Sequence, residues 1–188
     1  RRGALIDADA ARRDSVALML GTRDFEVVGR YDSVGQALRA GALPDLTLVH
    51  VDAVDRTFCA AIARLRAEAD TAILTLIDRA EPTEIEALHD AGADQVLPVG
   101  LQPDRFAVGE AGAMGAFRRR RAADRAVAKA ESALASARTL YRAKVILIAR
   151  QGLSEDEAHR RLQEMSMTRN LPLAEMAQRI VEAESLLC

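Results

Sequence analysis

The stretch AILTLIDRAEPTEIEALHDAGADQVL, residues 72–97, decides the fold of the first part of this chain. It opens with a continuous run of apolar and β-branched residues, continues as a helical pattern between Pro82 and Gly92, and closes on a second apolar run at 95–97. A continuous apolar run of this length is typical of a strand that is buried on both faces. Two such runs joined by a helix therefore predict a pair of parallel strands with the helix packed across them.

The same alternation of short apolar runs and amphipathic stretches extends back to the start of the chain. The predicted strands are 4–6, 25–28, 46–49, 72–77 and 95–97, and the predicted helices between them are 11–20, 34–40, 58–67 and 84–91. Strands that alternate with helices are typical of α/β proteins with a central parallel sheet. We therefore predict an α/β domain with a doubly wound, five-stranded parallel sheet over residues 1–107.

Strand signals end near Asp104, and the rest of the chain is predicted to be helical. The seam of the first helix repeats at alternating three- and four-residue spacing along Val127, Ala130, Leu134, Ala137, Tyr141, Lys144 and Ile148. This spacing predicts a coiled-coil stalk over 108–140, although its alanines bury little apolar area. Gly109, Gly112 and Gly115 predict close helix packing, because no strand precedes them at the distance of a dinucleotide fingerprint.

Two further helices are predicted after the stalk, over 155–165 and 173–187. Gly152 is expected to end the stalk, and Ser154 is followed three residues later by a glutamate, which is the spacing of a capping box. We predict an all-α, three-helix C-terminal bundle over 126–188, which overlaps the stalk.

Charge is distributed unequally between the two parts of the chain. Residues 1–107 carry 12 Lys and Arg against 18 Asp and Glu, whereas residues 108–188 carry 14 against 10. The positive charge is concentrated in 118–150, which begins with four consecutive arginines. A basic segment of this kind favours a polyanion as partner.

The sequence does not indicate a metalloprotein, a disulfide-bonded protein or a membrane protein. Cys59 and Cys188 are too few for a disulfide framework, and His50, His89 and His159 lack ligand spacing, so no metal and no cofactor are predicted. No stretch approaches the roughly 18 uninterrupted apolar residues of a membrane span. We therefore expect no membrane partner and a cytoplasmic location.

Three acidic motifs follow one another in the first part: LIDAD at 5–9, PDLTLV at 44–49 and DAGAD at 90–94. With these motifs in this order, residues 1–107 resemble a response-regulator receiver domain. The resemblance implies a flavodoxin-like fold with a site at the carboxyl ends of the strands. In that family an acidic pair holds Mg²⁺, an Asp ending the third strand accepts a phosphoryl group, and a hydroxyl residue and a Lys bind that group.

The chain departs from this pattern at most of the family's positions. His50 stands in the place of the nucleophile, Ile77 in that of the hydroxyl residue and Val99 in that of the Lys. Asp7 and Asp9 remain acidic, but the residue between them is an alanine. We therefore predict a degenerate phosphorylation site at these five residues and no enzymatic activity.

One alternative is a phosphorylation-driven response regulator with an atypical acceptor. Asp52 lies two residues beyond His50 and shares its strand parity, so both side chains are candidate acceptors. The absence of the hydroxyl residue and the Lys argues against this alternative.

The C-terminal part combines RAKVILI at 142–148, GLSEDEA at 152–158 and LAEMA at 173–177. With these motifs, residues 126–187 resemble the ANTAR family, named after the AmiR and NasR transcription antitermination regulators. The layout is most similar to that of the amidase-operon antiterminators. The resemblance implies that the bundle binds hairpins in nascent leader mRNA and so prevents a terminator hairpin from forming.

The predicted RNA-binding residues are Arg138, Arg142, Lys144, Arg160, Arg161, Arg169 and Asn170. Arg and Lys supply phosphate contacts, and the planar groups of Arg and Asn meet unstacked loop bases. Met165 and Met167 are predicted to lie in the core of the bundle. A basic helix face can also be an ordinary solvated surface. A further alternative is therefore a protein-binding scaffold whose helical bundle does not contact RNA.

The predicted function is that of a non-enzymatic transcription antiterminator that forms a homodimer through its stalk. Without phosphorylation, control has to come from a molecule that binds the first domain. The resemblance implies a small-molecule-sensing negative regulator of the periplasmic-binding-protein type, which holds the antiterminator inactive until a ligand releases it.

Overall fold

The structure, a computed structural model, describes residues 2–21, 25–99 and 103–185. The chain divides into two compact units, Arg1–Arg121 and Ala122–Cys188. Cys188 and the predicted end of the last helix at Leu187 lie outside the described residues.

The first unit is an α/β sandwich with one central sheet. Its strands are β1 (Arg2–Ile6), β2 (Glu26–Tyr31), β3 (Leu46–Val51), β4 (Ala72–Ile77) and β5 (Gln95–Pro98). The helices are α1 (Ala10–Gly21), α2 (Val34–Arg39), α3 (Arg56–Glu68), α4 (Pro82–Asp90) and α5 (Pro103–Gln151). All neighbouring strands are parallel, in the order β2-β1-β3-β4-β5, which confirms the predicted doubly wound sheet.

Each face of the sheet carries its own apolar core, because successive strand residues point to opposite faces. Leu48 and Leu74 lie in the core that α1 and the start of α5 cover. Val49 and Ile73 lie in the core that α2, α3 and α4 cover. β4 is buried along its whole length, and burial on both faces explains why it consists of apolar residues apart from Thr75.

The first turns of α5 belong to this unit. Phe106, Ala113 and Phe117 are buried against the sheet. Gly109 lies so close to Leu97 that a Cβ at this position would collide with the leucine side chain, which confirms the predicted close packing there. The compact unit therefore continues past the predicted boundary at 107, because an alanine- and glycine-rich helix face packs on the sheet. The predicted domain limits themselves stay predictions.

Two of the four consecutive arginines on α5 are used inside the first unit. Arg120 donates to the buried carboxylate of Asp94, which also accepts from Arg66 at 2.6 Å. Arg121 pairs with Asp70 at 3.0 Å. These two positive charges tie α5 to the sheet, so the run offers a polyanion less charge than its composition indicates.

The second unit consists of the remainder of α5 and two shorter helices. The shorter helices are α6 (Glu155–Thr168) and α7 (Leu173–Ser185). Their core with α5 is formed by Ala143, Leu147, Ala158, Leu162, Met176 and Ala177. The Ser154 hydroxyl accepts from the Glu157 amide at 3.4 Å and the Glu157 carboxylate accepts from the Ser154 amide at 2.8 Å, which confirms the capping box. The long helix followed by a helical bundle confirms the second part of the predicted fold.

The two methionines at the end of α6 have different surroundings. Met165 packs against the core, as predicted. Met167 is 81 % exposed, so the prediction of a core position is wrong for this residue. Two residues along a helix rotate a side chain by about 200°, which points Met167 away from the face that carries Leu162.

Although α5 contains 49 residues, its sequence is too polar for a bilayer, and no other described helix has the length and apolar character to cross one.

Candidate functional site

The carboxyl ends of three strands meet beside the point where the strand order changes direction, which is where doubly wound folds bind ligands. Asp7 follows β1, His50 lies near the end of β3, and Asp78 follows β4. A cavity of about 310 Å³ opens here, and its lining includes Asp7, Arg12, His50 and Asp52. The structure thus brings two members of the predicted degenerate site, Asp7 and His50, together.

The other three predicted members have different surroundings. The Asp9 carboxylate accepts from the Arg12 amide at 3.0 Å, so Asp9 caps the start of α1. Ile77 is buried at the end of β4, and Val99 is 40 % exposed just beyond β5. Neither Ile77 nor Val99 has a side-chain group that bonds to a phosphoryl oxygen. The assignment of a degenerate phosphorylation site stays a prediction.

Sequence reasoning missed two site residues, Asp78 after β4 and Arg12 in the first turn of α1, and Arg12 makes more contacts. Its Nε and Nη2 each lie 2.8 Å from an oxygen of Asp7, and its Nη1 lies 2.7 Å from Oδ1 of Asp52. One sequence feature indicates the pair of Arg12 and Asp7: an arginine lies in the first turn of a helix, shortly after an aspartate at the end of a strand. The signal is weak, because Arg13 stands beside it and Asp52 is forty residues away.

His50 lies between two carboxylates. Its Nε2 is 3.1 Å from Oδ1 of Asp78, and its Nδ1 is 3.5 Å from Oδ2 of Asp7. The second separation is too long for a good hydrogen bond, and Nδ1 has no hydrogen-bond partner in the part of the chain that the structure describes. The side chain of His50 is fully buried, so a phosphodonor in solution does not reach it in this arrangement.

The Asp7 carboxyl is held in its charged form. Burial acts to raise its pKa, but hydrogen bonds from the Arg12 side chain and the Asp9 amide, together with neighbouring positive charge, bring the pKa below its ordinary value. The same contact raises the pKa of Arg12. Both partners therefore stay ionised at neutral pH.

On α5, two of the predicted RNA-binding residues share an exposed face. Arg138 and Arg142 are one helical turn apart, and both are exposed. Arg142 also borders a groove of about 370 Å³ together with Tyr141, Val145 and Val181. This part of α5 thus presents guanidinium groups next to an aromatic ring that is 63 % exposed.

Arg160 and Arg161 are exposed on α6. Arg161 has a weak contact of 3.4 Å with Glu164, one turn further along the helix. Such an exposed pair contributes little to stability, so it leaves the guanidinium available for a stronger anion.

The turn between α6 and α7 presents Arg169 and Asn170. Arg169 is the C-cap of α6, and Asn170 has a positive φ of 50°, a conformation that Asn tolerates better than most residues. The Ser166 hydroxyl donates to the Leu171 carbonyl at 2.6 Å and holds the turn from inside. Met167 is exposed beside the two polar residues, so the turn combines charge, an amide and an apolar side chain.

Comparison with known proteins identifies this second unit. Residues 128–181 match the ANTAR domain family. This part of the chain is an ANTAR domain. The match confirms the resemblance that the motifs of 142–177 indicated, whereas the particular similarity to amidase-operon antiterminators stays a prediction.

A transcriptional regulatory protein is similar to this chain over most of the length of both. The chain is 24 % identical to the transcriptional regulatory protein PdtaR of Mycobacterium tuberculosis over 184 residues, which cover 97 % of this chain and 90 % of PdtaR. An ANTAR domain and a relative of this kind point to a regulator of transcription rather than to an enzyme.

Solved structures support the fold of the first unit. The chain resembles a two-component response regulator of the LuxR family from Aurantimonas, with a TM-score of 0.54 and 17 % identity over 61 % of this chain and 84 % of the other. It also resembles the signal receiver domain of a modulated diguanylate cyclase from Desulfovibrio desulfuricans, with a TM-score of 0.53 and 14 % identity over 63 % and 97 % of the two chains. At these identities the likeness concerns the fold alone, and it confirms the receiver-type sheet.

Within the ANTAR domain, Lys144 differs from the other predicted RNA-binding residues. Its side chain is 17 % exposed, and its Nζ lies 2.5 Å from Oε1 of Glu155, the first residue of α6. The hydrogen bond from Lys144 lowers the pKa of Glu155. The ammonium group thus joins α5 to the start of α6. Lys144 therefore has a structural contact in addition to its predicted role in RNA binding.

The buried pair of Asp7 and Arg12 predicts a pH-dependent stability. Asp7→Asn should lower the free energy of unfolding by about 3 kcal/mol at neutral pH, because it leaves the guanidinium with a poorer partner. Since the pKa of Asp7 is lowered in the folded protein, its contribution is present above the ordinary carboxyl pKa and is lost as the pH falls through the lowered value.

Urea unfolding from neutral pH down to about pH 3 measures this difference between wild type and variant, which should shrink below about pH 4. Asp45→Asn, at an exposed position, is the matched control. A constant difference across the pH range would contradict the role of Asp7.

Proposed function

We propose that this chain is a non-enzymatic, cytoplasmic transcription antiterminator whose ANTAR domain binds hairpins in nascent leader mRNA and so prevents a terminator hairpin from forming. The observation that carries the proposal is the ANTAR match over 128–181, a segment that also contains the exposed predicted RNA-binding residues.

Uncompensated positive charge on the ANTAR domain supports an RNA partner. Among the described residues, no carboxylate forms an ion pair with Arg138, Arg142 or Arg169. Guanidinium groups that are exposed and unpaired bind phosphate without first breaking an internal contact. The turn at Arg169 and Asn170 adds a planar amide for an unstacked base. Lys144 is the weakest candidate, because binding RNA through its ammonium would cost its contact with Glu155.

A second copy of the chain is the proposed partner of the stalk. Every residue from 122 to 138 is exposed in the single chain. Val127, Leu134 and Tyr141, spaced seven residues apart, are 58 %, 52 % and 63 % exposed. A helix of this length without tertiary contacts is marginal in water, whereas a heptad seam becomes buried when two helices pair.

The exposed part of the seam ends before the last two positions of the heptad pattern. Lys144 and Ile148, its last two predicted positions, are half-buried, and Ile148 packs against the core of the ANTAR domain. Pairing of two copies through the seam is therefore proposed for 127–141. The alanines of the seam make the contact between the two helices close, but it is weak because it buries little apolar area. A weak dimer contact is one that binding of another molecule can shift.

Control by docking rather than by phosphorylation is the third part of the proposal. The buried position of His50 and the contact of Asp52 with Arg12 both disfavour an acceptor role. We therefore propose a ligand-sensing protein partner, of the periplasmic-binding-protein type that the family resemblance implies, as the molecule that restrains the antiterminator.

The RNA proposal predicts a salt-dependent loss of affinity. The double variant Arg142→Ala/Arg169→Ala should bind a paired-hairpin leader transcript roughly tenfold or more weakly, and its salt slope should fall by about 1 to 2, because two phosphate contacts are lost. Electrophoretic shift across a salt series measures both. Arg30→Ala/Arg64→Ala, which removes the same charge from the first unit, is the control. Equal binding by all three proteins would reject the site, and no binding by the wild type at low ionic strength would favour the scaffold alternative.

The stalk proposal predicts that Leu134→Asp yields a monomer, because it places a charge in the middle of the seam. Sedimentation equilibrium measures the mass. Ser132→Asp adds the same charge on the opposite side of the helix and should leave the dimer intact. A monomeric wild type, or a dimeric Leu134→Asp variant, would contradict pairing through this seam.

The docking proposal predicts that acetyl phosphate leaves the protein unlabelled, because the His50 side chain is buried and Arg12 already holds one oxygen of Asp52. Intact mass and peptide mapping test this expectation. A gain of one phosphoryl group at His50 or Asp52 would favour the phosphorylation-driven alternative.

A further inference from the structure

The first unit carries a positive charge of its own at the place where the receiver family binds Mg²⁺. The Arg12 guanidinium spans two carboxylates, Asp7 after β1 and Asp52 after β3. We propose that Arg12 is a resident replacement for the divalent cation, and that it holds the carboxyl ends of β1 and β3 in one arrangement whether or not metal is present.

The contacts of Arg12 occupy the acidic groups that a metal would need. Both oxygens of Asp7 accept from the guanidinium at 2.8 Å, and one oxygen of Asp52 accepts at 2.7 Å. This is the two-pronged geometry that arginine forms with a carboxylate, extended by a third bond to a second carboxylate. One side chain thereby joins α1 to the ends of two strands, as a bridging metal ion would.

Asp7 has no free side for a further ligand. Its Oδ1 also accepts from the Asp9 amide at 2.9 Å, and its Oδ2 faces Nδ1 of His50 at 3.5 Å. Arg13 donates to the backbone carbonyl of Asp7 at 2.5 Å. The side chain of Asp7 is fully buried among these groups.

A divalent cation does not fit these surroundings. Mg²⁺ binds carboxylate oxygens at about 2.1 Å, so with Arg12 in place it would lie within a few ångströms of a guanidinium whose side chain is only 26 % exposed. The carboxylate that the family has at the end of the third strand is His50 here, and a hard cation prefers oxygen to an imidazole nitrogen.

A second group of possible metal ligands lies beside Asp7. Ligand atoms of His50, Asp52 and Asp78 lie within 4.8 Å of one another. Asp52 is already held by Arg12, and Asp78 lies 3.1 Å from Nε2 of His50. Protein groups thus already contact one oxygen of each of these two carboxylates, Oδ1 of Asp52 and Oδ1 of Asp78.

Metal binding by the whole chain with and without Arg12 tests the proposal. Binding of Mn²⁺, a hard cation with an EPR signal that falls on binding, is measured for wild type, Asp7→Asn, Arg12→Ala and Arg12→Ala/Asp7→Asn. Arg30→Ala, which removes a positive charge from the same unit outside the site, is the matched control. The melting temperature of each protein is followed with and without Mn²⁺.

Wild type and Arg30→Ala should bind no Mn²⁺ up to about 1 mM and should keep the same melting temperature when it is added. Arg12→Ala should bind Mn²⁺ at least about tenfold more tightly than wild type and should melt at a higher temperature with it, because the carboxylates lose their internal cation. The additional Asp7→Asn change should abolish that gain. If Arg12→Ala is unfolded by circular dichroism, Arg12→Gln, which keeps the volume and removes the charge, replaces it.

Two results would overturn the proposal. One is a wild type that binds Mn²⁺ below about 1 mM in a manner that Asp7→Asn abolishes, since the site would then accept a metal beside Arg12. The other is a folded Arg12→Ala or Arg12→Gln protein that binds Mn²⁺ no better than wild type.

Discussion

A carboxylate that is removed from water must be neutralised by contacts, and Asp7 imposes this requirement on the first unit. Arg12 meets it with two hydrogen bonds and uses its third nitrogen for Asp52. Because the three residues come from the end of β1, the start of α1 and the end of β3, one ion pair joins the segments around the predicted site. His50 lies beside this ion pair, between Asp7 and Asp78.

This interaction bears on the predicted loss of the phosphorylation site in a domain with a receiver-type fold. Metal-dependent phosphoryl transfer needs an exposed acceptor, open carboxylates and a cation that neutralises the phosphoryl group. Here the nucleophile position holds a buried imidazole, and an arginine from the protein itself meets the carboxylates. The sheet does not need phosphorylation residues to fold, because its stability comes mainly from the apolar cores on its two faces.

The helix α5 shows that similar residues serve different purposes along one element. Arg120 lies in a buried ion-pair network with Asp94, whereas Arg138, one of the predicted RNA-binding residues, is exposed. Likewise Phe117 is buried against the sheet, while Tyr141 is exposed on the opposite part of the helix. These residues are of the same types, so composition does not distinguish them. Only their surroundings show which ones stabilise the fold and which ones are exposed for binding.

The sequence by itself determined the parallel sheet, the capping box of α6 and the presence of the ANTAR domain, because each depends on residues that are close in the chain: a continuous apolar run, a Ser and a Glu three residues apart, and motifs in a fixed order. Only the tertiary structure decided that Arg12 meets Asp52, that Lys144 meets Glu155 and that Met167 faces solvent. These outcomes depend on distances between elements and on which side of a helix is covered. Local patterns do not contain such distances, since a side chain's partner is set by the packing of segments that lie far apart in the sequence.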